Sequence, residues 1–280
     1  MLTSLQNPLV KQLRKLHRAK DRREQGVFLL EGTHLLEEAC LAGCPLETVC
    51  YTADWGTHHE RLRQTADELA QRSEWVSPEV LQAIATTVQP DGVVATVERR
   101  LAHPHPPRFT SLGLVLETIQ DPGNLGTLIR TAAAAGAEGL MLSADSTDLD
   151  NPKVLRASAG QWFRLPMAVN ADLPTAIADY KAQGWQIVAT LPGAQQTYWQ
   201  IDWRQPSLIL LGNEGAGLSP DLSSLADRQV TIPLSAGVES LNVAIAGALI
   251  LYEAKRQRES TVKTYQNAFQ DRQADIEKLC

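Results

Sequence analysis

The sequence predicts an α/β protein organised as two successive units. Three observations carry that prediction. Short apolar runs of strand length alternate with helix-period segments from Val27 to Glu98, and again from Leu112 onward. Between the two series, RRLAHPHPPRFTS (Arg99 to Ser111) concentrates Pro104, Pro106 and Pro107, which hold the backbone extended and block regular structure. In the second series, three apolar strands end abruptly in turns rich in glycine, asparagine and glutamate. At 280 residues, with 44% hydrophobic and 21% charged residues, the chain can bury two ordinary cores.

The elements follow in order. Asn7-Pro8 opens a helical pattern in which Leu9, Leu13 and Leu16 share one face and basic residues take the others, with Gly26 as its stop. A strand, Val27 to Gly32, precedes a helix from Thr33 to Gly43, with threonine as the expected N-cap. Glu47 to Thr52 reads as a strand and Thr57 to Arg72 as a charged helix. WVSPEVLQAIA is strand, turn and helix, and Asp91 to Glu98 closes the first series. In the second series, LGLVLETI from Leu112 is a buried strand and Asn124 to Gly136 an alanine-rich helix that Asn124 can cap. GLMLSA is a strand, NPKVLRASAGQWFRL a helix, and PMAV, Trp185 to Leu191, Ser207 to Gly212 and Gln229 to Leu234 are strands. The final helix, Ser240 to Arg258, is apolar for most of its length, the mark of a helix buried against a sheet. A polar segment follows it.

The net charge of −6 suits a nucleic-acid ligand poorly until its distribution is considered. Residues 11–23 carry Lys11, Arg14, Lys15, Arg18, Lys20, Arg22 and Arg23 against the single acid Asp21. Local field decides where a polyanion lands. No apolar run reaches the roughly 18–20 residues that cross a bilayer, and the N-terminus lacks the apolar core of a secretory signal, so a cytoplasmic protein is expected. Cys40, Cys44, Cys50 and Cys280 form no CxxC pair and are read as reduced, small hydrophobes; no metal is expected.

The chemistry concentrates in three segments. LVLETIQDPGNLGTLIRTA turns at Asp121-Pro122-Gly123, with Arg130 on the face of the following helix that also carries Asn124 or Thr127. LILLGNEGAGLSP places Gly212, Gly215 and Gly217 where backbone amides can approach a ligand, with Glu214 the one carboxylate. VTIPLSAGVESLNVAIAGAL leads through Glu239-Ser240-Leu241-Asn242 into the apolar helix, with Ser240 as the natural N-cap. All three lie at carboxyl ends of strands, the edge where open α/β sheets bind ligands. The glycine order is not GxGxxG, which argues against a dinucleotide enzyme.

At these residues the sequence resembles the SpoU (TrmH) family of RNA ribose 2′-O-methyltransferases in the SPOUT superfamily. QDPGNLGTLIR, LGNEGAGLS and IPLSAGVESLNVAIA match its motifs in order, from Leu112 to about Tyr252. NPLVKQLRKL followed by FLLEGTHLLEEA resembles the L30e-like substrate-binding domain found in that family. The resemblance implies an L30e-like domain over residues 1–100, a linker over 101–111, an α/β-knot methyltransferase domain with a mostly parallel sheet and a trefoil knot over 112–258, and a polar extension over 259–280. It implies S-adenosylmethionine as cofactor, held by Thr190, Gly212, Asn213, Glu214, Gly215, Ile232, Leu234, Leu241 and Asn242. Arg130, with Asn124, Glu214, Ser240 and Asn242, would form the catalytic group. Lys11, Arg14, Lys15, Arg18, Arg22 and Arg23 would contact RNA, ribosomal rather than transfer, and the active site would be completed in a homodimer. The two departures are Glu117-Thr118, where the family commonly has an aspartate, and the extension past Arg258. A rival class is an RNA-binding ribosome-assembly factor that keeps the fold without turnover; the full motif set argues against it.

Overall fold

The computed structural model describes residues 1–102 and 106–259. His103, Pro104, His105, Cys280 and residues 260–280 of the polar extension lie outside the described residues. The chain forms two compact units, each drawing on more than one stretch. The first joins Met1–Pro107 with Ile119–Arg130 and Asp145–Ala168; the second joins Arg108–Thr118, Thr131–Ala144 and the chain from Val169 onward.

In the first unit, β1 (Val27–Glu31), β2 (Leu46–Tyr51), β3 (Ala70–Trp75) and β4 (Val93–Glu98) form a sheet in the order β1-β4-β2-β3. β4 is antiparallel to β1 and β2, and β3 is parallel to β2. Leu9, Val10, Leu13 and Leu16 pack with Leu29, Cys50, Ile84 and Val94 into one core, each such leucine stabilising by about 1.5–3 kcal/mol. Cys44 and Cys50 are buried, and burial pushes the Cys50 thiol up to about 12, so both behave as apolar filler.

Three expectations are corrected here. The N-terminal basic helix is two helices, Pro8–Lys15 and Ala19–Gln25. The guanidinium Nη1 of Arg22 donates to the carbonyls of Leu16 (3.2 Å) and His17 (3.3 Å), which fixes the chain between them in a non-helical bend. Residues 70–72 belong to β3, so the charged segment is helical only over Ala53–His58 and Glu60–Leu69. Thr33 does not cap its helix. Gly32 holds the cap position, and the Asp91 carboxylate accepts from the Thr33 amide at 2.7 Å.

The second sheet comprises β5 (Leu112–Leu116), β6 (Leu140–Ser143), β7 (Met167–Asn170), β8 (Gln186–Thr190), β9 (Gln196–Thr197), β10 (Ser207–Leu211) and β11 (Arg228–Thr231), in the order β7-β6-β5-β10-β8-β11-β9. The pairings from β6 through to β9 are all parallel. β10 lies between β5 and β8, although it follows both in sequence. Its SLILL run is buried at every position, as expected of a strand covered on both faces. The last helix runs over 243–259. Val243, Ile250, Leu251 and Ala254 are buried, whereas Leu241 before it and Ile245, Leu249 and Tyr252 along it are exposed. Only one face of this helix is therefore covered in the single chain, not the whole helix that its composition suggests. Among the described residues no helix is long and apolar enough to cross a membrane, and no group of three His, Cys, Asp or Glu residues is placed to hold a metal ion.

Candidate cofactor cleft and RNA-contact residues

The carboxyl ends of β8, β10 and β11 open onto a cleft of about 360 Å³ in the second unit. β8 contributes Thr190, and the turn after β10 contributes Gly212, Asn213, Glu214 and Gly215. The segment after β11 adds Ile232, Leu234, Ser240 and Leu241. Eight of the nine expected cofactor residues line this one space. Asn242 does not. Its side-chain oxygen instead accepts from the amides of Ala244 (2.9 Å) and Ile245 (3.3 Å), so Asn242 and not Ser240 caps the last helix. Ser240 is thereby left on the cleft wall.

The turn after β10 is built by its own side chain. Asn213 Oδ1 accepts from the amides of Gly215 and Ala216, both at 2.9 Å, and Asn213 Nδ2 donates to the Thr118 carbonyl at 2.8 Å. Asn213 and Gly217 exchange backbone hydrogen bonds at 2.9 Å, closing a tight loop. A Cβ at Gly212 would collide with the Gly217 backbone, and Gly217 sits at φ +72°, so both positions require glycine. Thr118 is itself at φ +54°, a strained conformation for a β-branched residue, held by its amide donating to Ser143 Oγ (2.7 Å). Glu117, the neighbouring departure from the family pattern, accepts from the Ser219 amide at 2.7 Å and so anchors the far end of the same loop.

Two features of the lining indicate the ligand. Among the described residues Thr190 Oγ1 is buried with no hydrogen-bond partner, a polar atom that a bound group would satisfy. Among the described residues, the charged groups in the lining are two carboxylates, Glu214 and Glu239, with no lysine or arginine. An acidic, partly apolar cleft suits a ligand carrying excess positive charge. Glu239, Leu191 and Pro192 line the cleft without having been assigned a role from the sequence; the available signal was their adjacency to Ser240 and Thr190.

Asn124 and Arg130 lie in the helix Pro122–Ala135, within the stretch of it that belongs to the first unit. Asn124 is not the cap: Asp121 Oδ1 accepts from the Asn124 amide at 2.8 Å, so Asp121 caps and Asn124 is inside the first turn. Arg130 is exposed. Among the basic residues, Lys11, Arg14, Lys15, Arg18 and Arg23 are exposed. Arg22 is the correction. It is 2% exposed, and its Nη2 and Nε meet Asp148 (3.2 Å) and Asp150 (3.3 Å). A guanidinium already desolvated and engaged on three of its nitrogens has no free face for a phosphate.

The fold and the cleft define an α/β protein that binds a small polar ligand at the carboxyl edge of a parallel sheet. The chain belongs to the SpoU rRNA methylase family, whose model matches residues 111–252, and residues 7–95 match the MRM3-like substrate-binding domain. It is 50% identical over 257 residues, covering 92% of this chain and 94% of the relative, to a Synechocystis protein described as a tRNA/rRNA methyltransferase. It is 32% identical to a 23S rRNA guanosine-2′-O-methyltransferase of Bacillus subtilis, covering 91% of this chain and 98% of that one. The AdoMet-bound rRNA methyltransferase of Sinorhizobium meliloti superposes with a TM-score of 0.80 at 34% identity, covering 91% and 97% of the two chains.

Proposed function

We propose that this protein methylates a ribose 2′-hydroxyl of ribosomal RNA, with S-adenosylmethionine as methyl donor. The observation that carries the reading is the cleft, which gathers Thr190, the Gly212–Gly215 turn, Ile232, Leu234 and Leu241 at one sheet edge. S-adenosylmethionine supplies a methyl group made electrophilic by the sulfonium that bears it. Its excess positive charge suits the Glu214 and Glu239 carboxylates, and the orphaned Thr190 hydroxyl gives it a hydrogen-bonding partner.

The chain's own residues do the positioning. An arginine stays protonated at neutral pH, so Arg130 serves as a grip on the phosphate beside the target ribose, bidentate where geometry allows, and not as a simple base. Holding the hydroxyl in line is the main catalytic task, and its proton leaves to the phosphate or to water. Asn124, Glu214, Ser240 and Asn242 complete the catalytic group in this reading, and Asn242 acts through the helix end that it caps. Lys11, Arg14, Lys15, Arg18 and Arg23 supply the phosphate contacts.

The same reading assigns residues 1–100 to RNA binding, 101–111 to a linker, 112–258 to the methyltransferase domain and 259–280 to an extension. It includes the trefoil knot, for which the late insertion of β10 between β5 and β8 is support. It includes a homodimer, because Leu241, Ile245, Leu249 and Tyr252 expose an apolar stripe at helical spacing. The reading includes a cytoplasmic location, for which a ribosomal substrate is support. The test is transfer of labelled methyl from S-adenosylmethionine to ribosomal RNA from cells lacking the protein. Label at a nuclease-resistant ribose is expected. A folded protein that binds RNA and cofactor yet transfers nothing is instead an assembly factor.

A further inference from the structure

Arg22 sits in the middle of the basic run, yet it faces inward. Its Nη1 holds the Leu16 and His17 carbonyls, which form the bend between the two basic helices. Its other nitrogens hold Asp148 and Asp150, and Arg99 also pairs with Asp150. Asp150 is 2% exposed and Asp148 mostly buried, so this is an internal charge cluster and not a solvated surface pair.

The stretch that carries the two aspartates leads directly to the Arg130 helix, all within the first unit. The Thr147 amide donates to the Ile119 carbonyl (2.8 Å), the Ile119 amide donates to Ser146 Oγ (3.0 Å), and Gln120 Nε2 donates to the Asp145 carbonyl (2.9 Å). Two residues on, Asp121 caps the helix bearing Asn124 and Arg130. A second tie runs in parallel. Gly126 of that helix lies so close to Ala157 and the Val154 carbonyl that a Cβ would not fit. On the same helix as Ala157, Arg156 pairs with the buried Glu31 of β1 (3.5 Å).

We infer that Arg22 is a positioning residue, which sets the register between the phosphate-gripping face of the basic helices and the helix that presents Arg130. The inference rests on the methyltransferase reading above. It predicts a split that neither a phosphate contact nor a purely structural residue produces. A phosphate contact contributes to the salt dependence of RNA binding, about 0.9 in the log–log slope per phosphate neutralised. A positioning residue leaves that slope alone and lowers turnover.

The experiment uses the full chain and four variants: Arg22→Lys, Arg22→Gln, Asp148→Asn and, as a phosphate-contact reference, Arg14→Ala. Lysine keeps the charge but, as a point donor, cannot span both aspartates and both carbonyls. Three readouts are taken below the melting transition: kcat and KM for methyl transfer to the unmethylated ribosomal RNA, salt dependence of binding to that RNA, and calorimetric affinity for S-adenosylmethionine. For Arg22→Lys, Arg22→Gln and Asp148→Asn, kcat falls about tenfold, with the wild-type salt slope and wild-type cofactor affinity. Arg14→Ala lowers the slope by about one. A slope lowered by about one in Arg22→Gln, which unlike the lysine variant removes the charge, overturns the inference in favour of a phosphate contact. A lowered melting temperature with kcat unchanged overturns it in favour of a structural role only. If the wild type transfers no methyl, the reaction assignment has failed, and that outcome is distinct from both.

Discussion

In the first unit charges hold the basic helices in place, whereas in the second the backbone shapes the cleft. The basic helices are bent and held by Arg22 on Asp148 and Asp150, a guanidinium and two carboxylates mostly removed from water. The cleft proposed for the cofactor owes its shape to Gly212, Gly217 and the hydrogen-bonding of Asn213 to its own turn. The contrast matches the ligands proposed for the two regions. A polyanion is gripped by charge over a wide area, and exposed cations must be aimed by something rigid beneath them. A small cofactor needs close approach to backbone, which only residues without a side chain permit.

The comparison can be broken at its strongest points first. Arg130→Ala is expected to lower methyl transfer about a hundred- to a thousandfold while leaving the melting temperature unchanged, since the side chain is exposed. Labelled-methyl incorporation with a parallel melting curve checks this. Asp150→Ala leaves Arg22 short of a partner in a buried setting and should cost about 3 kcal/mol, a drop of roughly 6–12 °C in melting temperature. An unchanged melting temperature would show that the cluster is better solvated than its burial implies.

In the second unit, Gly212→Ala forces the turn off the Gly217 backbone and should weaken S-adenosylmethionine about tenfold to a hundredfold by calorimetry. Thr190→Val is milder. Losing the orphaned hydroxyl weakens the cofactor about three- to tenfold while apo stability holds or rises, because no internal hydrogen bond is broken. The smallest effect is a pH dependence in the first unit. Burial pushes the Glu31 carboxyl up, but the hydroxyls and amides of Thr86 and Thr87 outweigh it and hold it below the ordinary 4.5. A carboxylate depressed in the folded state stabilises above its unfolded value and loses that stabilisation as pH falls through the folded one. Acid unfolding below about pH 4.5 should therefore be steeper in the wild type than in Glu31→Gln.

How far the sequence could be read differs between residues for definable reasons. Strands such as SLILL were legible because continuous burial demands a continuous apolar run. The cleft loops were legible because their glycines, Asn213 and Glu214 fall in contiguous motifs. The helix caps were misread by a few residues: Asp121, Gly32 and Asn242 hold the positions expected for Asn124, Thr33 and Ser240. Several polar residues stood side by side at each end, and local propensity does not choose among them. Glu239 was given no role, although it lies within the third motif, because a lone glutamate beside Ser240 carries no pattern of its own.

By itself, the sequence determined the alternation of strands and helices, the cleft-forming turns and the family motifs. Each of those is written in residues near one another, through periodicity, turn chemistry and glycine. Only the tertiary structure decided that Arg22 faces inward while Arg14, Arg18 and Arg23 face out, and that the last helix leaves an apolar stripe uncovered. The partners of Arg22 lie some 126 and 128 residues away, and one arginine in a basic run looks like the next until a distant carboxylate desolvates it.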